Sequence, residues 1–348
     1  MVSKQEEMRV GIVGCGGISR AHARAVAAIP SARLVAGADI VPERLEAAKQ
    51  SYGGIDGYLD YHELLARDDI DVVCVCTPSG LHGQVAIDAA KAKKHIMTEK
   101  PLDVNLEQAD AMIKAAKENG VKLSVIFQNR FRPMVVRAKQ MIEEGRLGDI
   151  LLASGYVKWY RTQEYYDSGL KWRGTLALDG GGALINQAVH TVDLLQWMVG
   201  PVASVTAQKA TVAHKIEGED IALGLFKYRN GAMGVFEAST VCYPGSAARV
   251  EIHGTKGGVT VDGDKMTLGI KGEEKSEESE AEASGVSADP LALSAGMHAV
   301  QLSRFFEAIR EDKEPDPSGE EGRKALEIIV AFYQSADTGK PVALPLRD

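Results

Sequence analysis

The stretch Met8-Arg9-Val10-Gly11-Ile12-Val13-Gly14-Cys15-Gly16-Gly17-Ile18-Ser19 decides the fold. A strand-like run, Met8–Val13, passes directly into a glycine-rich turn, and a helical pattern follows from Ile18 to Ile29. Gly14 permits the tight turn, and Gly16 lets the backbone approach a pyrophosphate held at the helix N-terminus. The third position of the pattern, ordinarily Gly or Ala, is Ser19, which is still small enough for close helix–strand packing. A second feature supports the reading. Asp39 closes the next strand-like run, Ala32–Ala38, where a carboxylate accepts both ribose hydroxyls and repels a 2′-phosphate. Ile40 follows it, and Arg44 is the one nearby cation. The expected cofactor is therefore NAD, with NADP disfavoured; the plain alternative is a glycine turn with a capping Asp.

Outward from this unit, short β-branched runs alternate with amphipathic helices. Pro42–Tyr52, Leu81–Lys93 and Asn105–Asn119 read as helices, the last ended by Gly120. Asp71–Cys76, His95–Thr98 and Lys122–Phe127 read as strands, and the near-continuous apolar run DVVCVC suits a parallel strand covered on both faces. Strand–helix alternation of this kind predicts an α/β fold with a doubly wound parallel sheet.

Beyond residue 128 the pattern changes. A helix, Pro133–Glu144, and a long strand, Ile150–Trp159, lead to a polar aromatic stretch, a glycine triplet and an apolar helix over Ala183–Met198. Strand-like runs separated by turn signals then extend from Val202 to Ile270, which predicts a mostly antiparallel open sheet. Two helices, His298–Glu311 and Gly319–Ala336, end the chain. The division expected is a nucleotide-binding domain over 1–128 and a substrate-binding and oligomerisation domain over 129–348. Residues 272–288, acidic and poor in apolar groups, are expected to form a mobile loop.

The 348 residues suffice for about two domains. A net charge of −8 argues against a nucleic-acid-binding face, and no apolar run approaches bilayer length. With no secretory pattern at the start and four scattered cysteines, the expected location is the cytoplasm. Cys74 and Cys76, two apart on a strand, form no paired metal motif, so no metal is expected.

Candidate chemistry gathers at two places. Lys100, in Thr98-Glu99-Lys100-Pro101, follows the fourth strand, and open α/β sheets bind ligands beyond the carboxyl ends of their strands. Such a lysine can hydrogen-bond a hydroxyl, stabilise a developing alkoxide or act as a base; it can equally be a solvated turn. Asp179-Gly180-Gly181-Gly182 opens the apolar helix, on which Asn186, His190 and Asp193 share one face. Polar groups there need partners or a ligand. His190 can be a satisfied core histidine, and Asp193 can orient it or hold a structural salt bridge.

The Gly14–Ser19 loop, Thr77-Pro78 with His82, Glu99-Lys100-Pro101 and the glycine-triplet helix through His190 closely resemble the glucose-fructose oxidoreductase / inositol 2-dehydrogenase / MocA family. The resemblance runs over nearly the whole chain. It implies an NAD(P)-dependent oxidoreductase acting on a secondary hydroxyl of a sugar, polyol, glycoside or nucleotide sugar; the open apolar face of the second-domain sheet wants a cover, so a homo-oligomer, dimer or tetramer, is expected. By position it places the cofactor against Gly14, Gly16, Gly17, Ile18, Asp39, Thr77, Pro78, His82, Glu99, Lys100 and Gln128, with Trp172 and Arg173 reaching the nicotinamide side. Lys100 and His190 become the proton-handling pair. One departure stands out: many members carry Asp where this chain has Asn186, and an amide is no base. Asn186 is therefore expected to position substrate.

The aromatic segment Lys158-Trp159-Tyr160-Arg161-Thr162-Gln163-Glu164-Tyr165-Tyr166, followed by Trp172-Arg173, suits a sugar ring, a packed loop or a subunit contact. Lys158, Arg161, Tyr166 and Arg173 join Lys100, Asn186 and His190 as candidate substrate contacts. The leading reading is an NAD-dependent dehydrogenase of a ring hydroxyl. Its rivals are a nucleotide-sugar 3-dehydrogenase, oxidative glycoside cleavage with retained NAD, and a non-enzymatic NAD-binding sensor.

Overall fold

A computed structural model describes residues 7–273, 277–280 and 295–346. They form two compact units: Met1–Gln128 with Leu293–Arg323, and Asn129–Ala292 with Lys324–Asp348.

In the first unit the chain runs β1 (Met8–Val13), α1 (Ser19–Ala27), β2 (Ala32–Ala38), α2 (Pro42–Ser51), β3 (Asp56–Tyr58), α3 (Tyr61–Leu65), β4 (Val72–Val75), α4 (His82–Lys91), β5 (His95–Thr98), α5 (Leu106–Asn119) and β6 (Leu123–Val125). All six strands are parallel, in the order β3-β2-β1-β4-β5-β6. Helices cover both faces, which is why β4 can be wholly apolar and wholly buried. The strand order reverses between β1 and β4, and ligands of such sheets bind outside the carboxyl ends at that point. Pro42 occupies the first turn of α2, Asn105 caps α5 by accepting from the Gln108 N–H, and Gly120 ends that helix at φ 67°.

The second unit continues with α6 (Pro133–Glu143), β7 (Ile150–Lys158), α7 (Gln163–Asp167), a π-helical segment Ala183–Ala188, α8 (Val189–Val199), β8 (Val202–Ala210), β9 (Ile221–Tyr228), β10 (Met233–Ser239), β11 (Arg249–Gly254), β12 (Gly257–Asp262), β13 (Lys265–Ile270) and β14 (Glu277–Glu280). Its sheet has the order β14-β13-β12-β11-β7-β10-β9-β8-β15, where β15 is Val342–Ala343, and every neighbouring pair except β7–β10 is antiparallel. Period-2 alternation sorts its two faces. Phe226, Phe236 and Ala238 are buried on one side, while Leu223, Leu225 and Met233 stand exposed on the other.

The chain then returns to the first unit. Helix α9 (Ala295–Arg310) buries Leu302, Phe305 and Phe306 in one cluster with Ala23, Ala25 and Val26 of α1. Each such side chain contributes roughly 1.5–3 kcal/mol. Gln301 ties the same helix to β6, donating to the Val125 carbonyl at 2.7 Å and accepting from the Phe127 N–H at 3.1 Å. The sequence division into 1–128 and 129–348 lacks this return, because the apolar face of α1 is covered by residues far along the chain. Helix α10 (Gly319–Thr338) leads back to the second unit.

Two further differences from expectation concern the second unit. The single helix expected over Ala183–Met198 is a π segment followed by α8. Within the expected loop 272–288, residues 277–280 pair with β13, because a strand edge offers backbone hydrogen bonds whatever the side-chain charge. Residues 274–276 and 281–288 of that loop lie outside the described residues. The four cysteines are free thiols, and among the described residues no helix is long and apolar enough to cross a membrane.

Candidate active site

The nucleotide-binding features lie in the first unit, where β1 ends beside β4. Gly14 has φ 93°, and a Cβ on it would meet the Cys76 carbonyl at 2.7 Å, so only glycine fits. Gly16 and Gly17 differ: a Cβ on either meets nothing within 4 Å. Their backbone opens onto free space at the start of α1, whose N-terminal residue, Ile18, supplies no side-chain cap. Exposed amides at an uncapped helix start attract an anion. Ser19 turns inward, its hydroxyl donating to the Gly16 carbonyl at 2.6 Å and lying 2.8 Å from the Tyr52 hydroxyl. Asp39 sits above the loop, Oδ2 accepting from the Cys15 N–H and Oδ1 from the Val41 N–H, both at 2.8 Å. These bonds fix the carboxylate and leave lone pairs for ribose hydroxyls.

Two orphaned atoms follow the ends of β4 and β6. Thr77 Oγ1 and Gln128 Oε1 are buried with no hydrogen-bond partner among the described residues. Buried polar atoms of that kind call for a ligand or water. The glycine cradle, uncapped helix start, fixed carboxylate and orphaned oxygens together fit a dinucleotide.

His82 and Glu99, both expected to touch the cofactor, also bond to protein groups. The His82 ring is buried, with Nδ1 2.9 Å from the Pro101 carbonyl and Nε2 3.1 Å from the Thr77 carbonyl. It joins the two turns, Thr77-Pro78 and Lys100-Pro101, and burial lowers its pKa. Glu99 is also buried. Its Oε1 lies 2.8 Å from His22 Nε2, and its Oε2 accepts from the Lys100 N–H at 3.2 Å. Pro78 begins the turn Ser79–Leu81. Lys100 follows β5 by two residues and is partly exposed, as a residue working at a strand end needs to be.

In the second unit the polar groups are linked through Gln187. The Asn186 Nδ2 donates to Asp179 Oδ1 at 2.5 Å, and Asp179 Oδ2 accepts from the Gly174 N–H at 2.7 Å. Gln187 donates to Asn186 Oδ1 at 3.2 Å and to the Tyr165 hydroxyl at 2.8 Å, while its own Oε1 accepts from Arg161 at 3.1 Å. Asn186 is buried and His190 partly exposed. Both belong to a stretch where π winding gives way to α, an irregularity frequent at functional sites. Glu219 sets the start of that stretch. Its carboxylate accepts from the Leu184 N–H at 2.7 Å, the Gly182 N–H at 3.2 Å and the Tyr333 hydroxyl at 3.1 Å, and its carbonyl accepts from the Ala183 N–H at 2.8 Å. Burial raises the Glu219 pKa.

Several expected substrate contacts are committed to protein partners. Lys158 pairs with Glu237 at 2.7 Å. Arg161 is buried, with its guanidinium 4.9 Å from the Trp159 ring centre and 5.5 Å from that of Tyr165. The Tyr166 hydroxyl meets Thr240 Oγ1 at 2.9 Å inside the protein. Arg173, half-buried, lies 4.8 Å from the Tyr165 ring and 5.2 Å from the Trp172 ring and donates to Ser168 Oγ at 3.3 Å. Asp193 holds Arg130 in a buried bidentate pair at 2.8 and 2.5 Å. Sequence reasoning missed Asp179, Gln187 and Glu219 as site-builders. Asp179 had a local signal, directly preceding the glycine triplet.

Comparison with known proteins accords with this geometry. Residues 8–127 match the oxidoreductase-family NAD-binding Rossmann fold of the glucose-fructose oxidoreductase / inositol dehydrogenase / MocA group, and residues 139–344 match that group's C-terminal α/β domain. The chain is 28% identical over 342 residues to myo-inositol 2-dehydrogenase of Thermotoga maritima, covering 97% of this chain and 98% of that protein. Among solved structures, the WlbA dehydrogenase of Bordetella pertussis in complex with NADH and UDP-GlcNAcA superposes with a TM-score of 0.88 at 36% identity, covering 99% of both chains. A levoglucosan dehydrogenase in complex with NADH and levoglucosan gives a TM-score of 0.90 at 27% identity, covering 98% of this chain and 100% of that one.

Proposed function

Because this chain belongs to the glucose-fructose oxidoreductase / inositol 2-dehydrogenase / MocA family of NAD-dependent oxidoreductases, we propose that it oxidises, or in reverse forms, a ring secondary hydroxyl of a sugar, glycoside or cyclitol. The observation that carries this reading is the group of polar side chains Asn186, Gln187 and His190 within one helical stretch, built up by Asp179 and Glu219. Such a group, offering both donors and acceptors, suits a polyhydroxy ring.

Oxidation of a carbinol removes a proton from oxygen and a hydride from carbon, leaving a carbonyl. NAD, held by Gly14, Gly16, Gly17, Ile18, Asp39, Thr77 and Gln128, supplies the hydride acceptor when bound. Lys100 donates a hydrogen bond to the reacting oxygen and favours its alkoxide character. His190 takes the proton. Asn186, its amide fixed by Asp179, orients a neighbouring hydroxyl and leaves the proton chemistry to the other two. Lys158, Arg161 and Tyr166 shape the site from behind, and Trp172 and Arg173 border it.

A nucleotide-sugar substrate is the second reading. It is favoured by the 36% identity to the WlbA dehydrogenase over 99% of both chains. Both readings are tested by NADH formation from NAD over a panel of free sugars, inositols, glycosides and UDP-sugars, with NADP in parallel. Lys100→Ala and His190→Ala serve as controls. Turnover confined to UDP-sugars selects the second reading; no turnover on any member, with tight NAD binding, refutes both.

We further infer a homo-oligomer in which a second copy covers Leu223, Leu225 and Met233 on the open sheet face. Light scattering that finds only monomers refutes it. Four free thiols suit the cytoplasm, the compartment we assign.

A further inference from the structure

We propose that His22 and His298 are positioning residues for Lys100, acting through the Glu99 carboxylate that they flank. The three side chains come from α1, the end of β5 and α9, all within the first unit, and all three are buried. His22 Nε2 lies 2.8 Å and His298 Nε2 3.7 Å from the same oxygen, Glu99 Oε1, with the two rings edge-on at 5.5 Å. The other oxygen, Oε2, accepts from the Lys100 N–H.

The protonation of His22 follows from its surroundings. Its Nδ1 has no hydrogen-bond partner among the described residues, so a proton there would be a buried, unpaired donor. The proton therefore sits on Nε2 and donates to Glu99, which stays ionised; the two imidazoles hold its carboxyl well below the ordinary range. The other titratable groups that Glu99 acts on are the thiols of Cys74 and Cys76, both kept neutral by burial, and the buried His82, whose pKa burial lowers. An ionised carboxylate beside the apolar cluster of Met97, Ile126 and Leu302 carries a desolvation cost that three apolar side chains would avoid. What the arrangement provides is a fixed Lys100 peptide. Glu99 grips its N–H, and His82 meets the carbonyl of the next residue, Pro101. The Lys100 side chain thus leaves the strand end in one direction.

The inference rests on Lys100 acting in the proposed dehydrogenation. His22→Leu, His22→Gln, His298→Leu and Glu99→Gln are compared with Lys100→Ala for kcat, KM, NAD Kd, the pH profile of kcat and melting temperature. His22→Leu and His298→Leu are expected to lower kcat about 10- to 100-fold and to shift the pH profile, with NAD Kd within about threefold. His22→Gln, which keeps an N–H near the Nε2 position, restores most of kcat. If His22→Leu does not fold, Glu99→Gln carries the test, since it keeps the side-chain shape while losing the charge and one of the two acceptors that His22 and the Lys100 N–H use. Losses that track melting temperature and NAD Kd, with an unmoved pH profile, overturn the inference. So does stoichiometric metal in the purified protein, which would make the cluster a metal site. Normal turnover by Lys100→Ala would instead sink the reading beneath it.

Discussion

Removal of the Asp193 carboxylate tests what the apolar helix α8 is anchored by. Asp193 and Arg130 are 1% and 2% exposed and share two hydrogen bonds, at 2.5 and 2.8 Å, while the guanidinium also lies 5.3 Å from the Trp197 ring. Asp193→Ala leaves that cation buried without its carboxylate, a change that costs about 3–5 kcal/mol. For a unit of this size the melting temperature should fall by roughly 6–20 °C. The double variant Arg130→Met/Asp193→Leu removes both charges and should recover most of the loss, since a buried ion pair and apolar side chains of similar volume are often of comparable stability. Urea unfolding of the parent, Arg130→Met, Asp193→Leu and the double variant closes a thermodynamic cycle. On the reading that the pair braces the helix, the double variant should keep kcat within about threefold. An Asp193→Ala variant of unchanged stability whose kcat has collapsed would refute this and return Asp193 to His190.

Further expectations follow from single contacts. Asp39→Ala should weaken NAD by about 10- to 100-fold, the loss of hydrogen bonds to a charged group, and narrow the gap to NADP; an unaltered preference in binding assays contradicts the ribose assignment. Asn186→Asp sets a second carboxylate beside Asp179, and two such groups cannot both ionise freely. The folded-state pKa is then raised, so the variant should match the parent below about pH 4 and lose stability as pH rises towards that value, by about 1.4 kcal/mol if the pKa rises by one. A pH-independent difference in urea melts would exclude it. Glu99 shows the opposite sign: its depressed folded-state pKa adds stability that is full above 4.5 and lost as pH falls through the folded value. The stability gap between the parent and Glu99→Gln should therefore close in acid, and a constant gap would disprove the ionised state. Gly182→Ala would drive a Cβ into the Glu219 carbonyl and should unseat the π segment, read as a loss of kcat larger than the loss of NAD affinity.

Those parts of the site with local causes were legible in the sequence. Gly14 is needed by a turn at φ 93°, Gly16 opens the backbone beside it and Asp39 follows a strand end, and all three lie within one strand–helix–strand unit. Lys100 was legible as the residue beyond a strand. The partners that commit or free a side chain were not. Lys158, Arg161 and Tyr166 read as available groups until Glu237, Gln187 and Thr240 are brought against them from elsewhere in the chain. Asp193 left two roles open, and its partner in the salt bridge, Arg130 from the turn before α6, carried no signal in the sequence. An apolar run does not distinguish π from α winding, so the irregularity at Ala183–Ala188 left no trace in the pattern. Strand β3 and helix α3 are too short to show a period.

The return of α9 to the first unit has a bearing on how the molecule is made. Leu302, Phe305 and Phe306 leave the ribosome only after all but the last short strand of the second unit's sheet has been synthesised. Until then the nascent first unit presents a bare hydrophobic strip on α1. Its helices and parallel strands can form early, but its interior closes late, and a chain released at residue 128 would expose what α9 normally hides. A cut there therefore yields an aggregation-prone fragment, although the nucleotide loop is entirely within it. An independent nucleotide-binding module would have to be assembled from two pieces, 1–128 and 293–323, joined by a new linker.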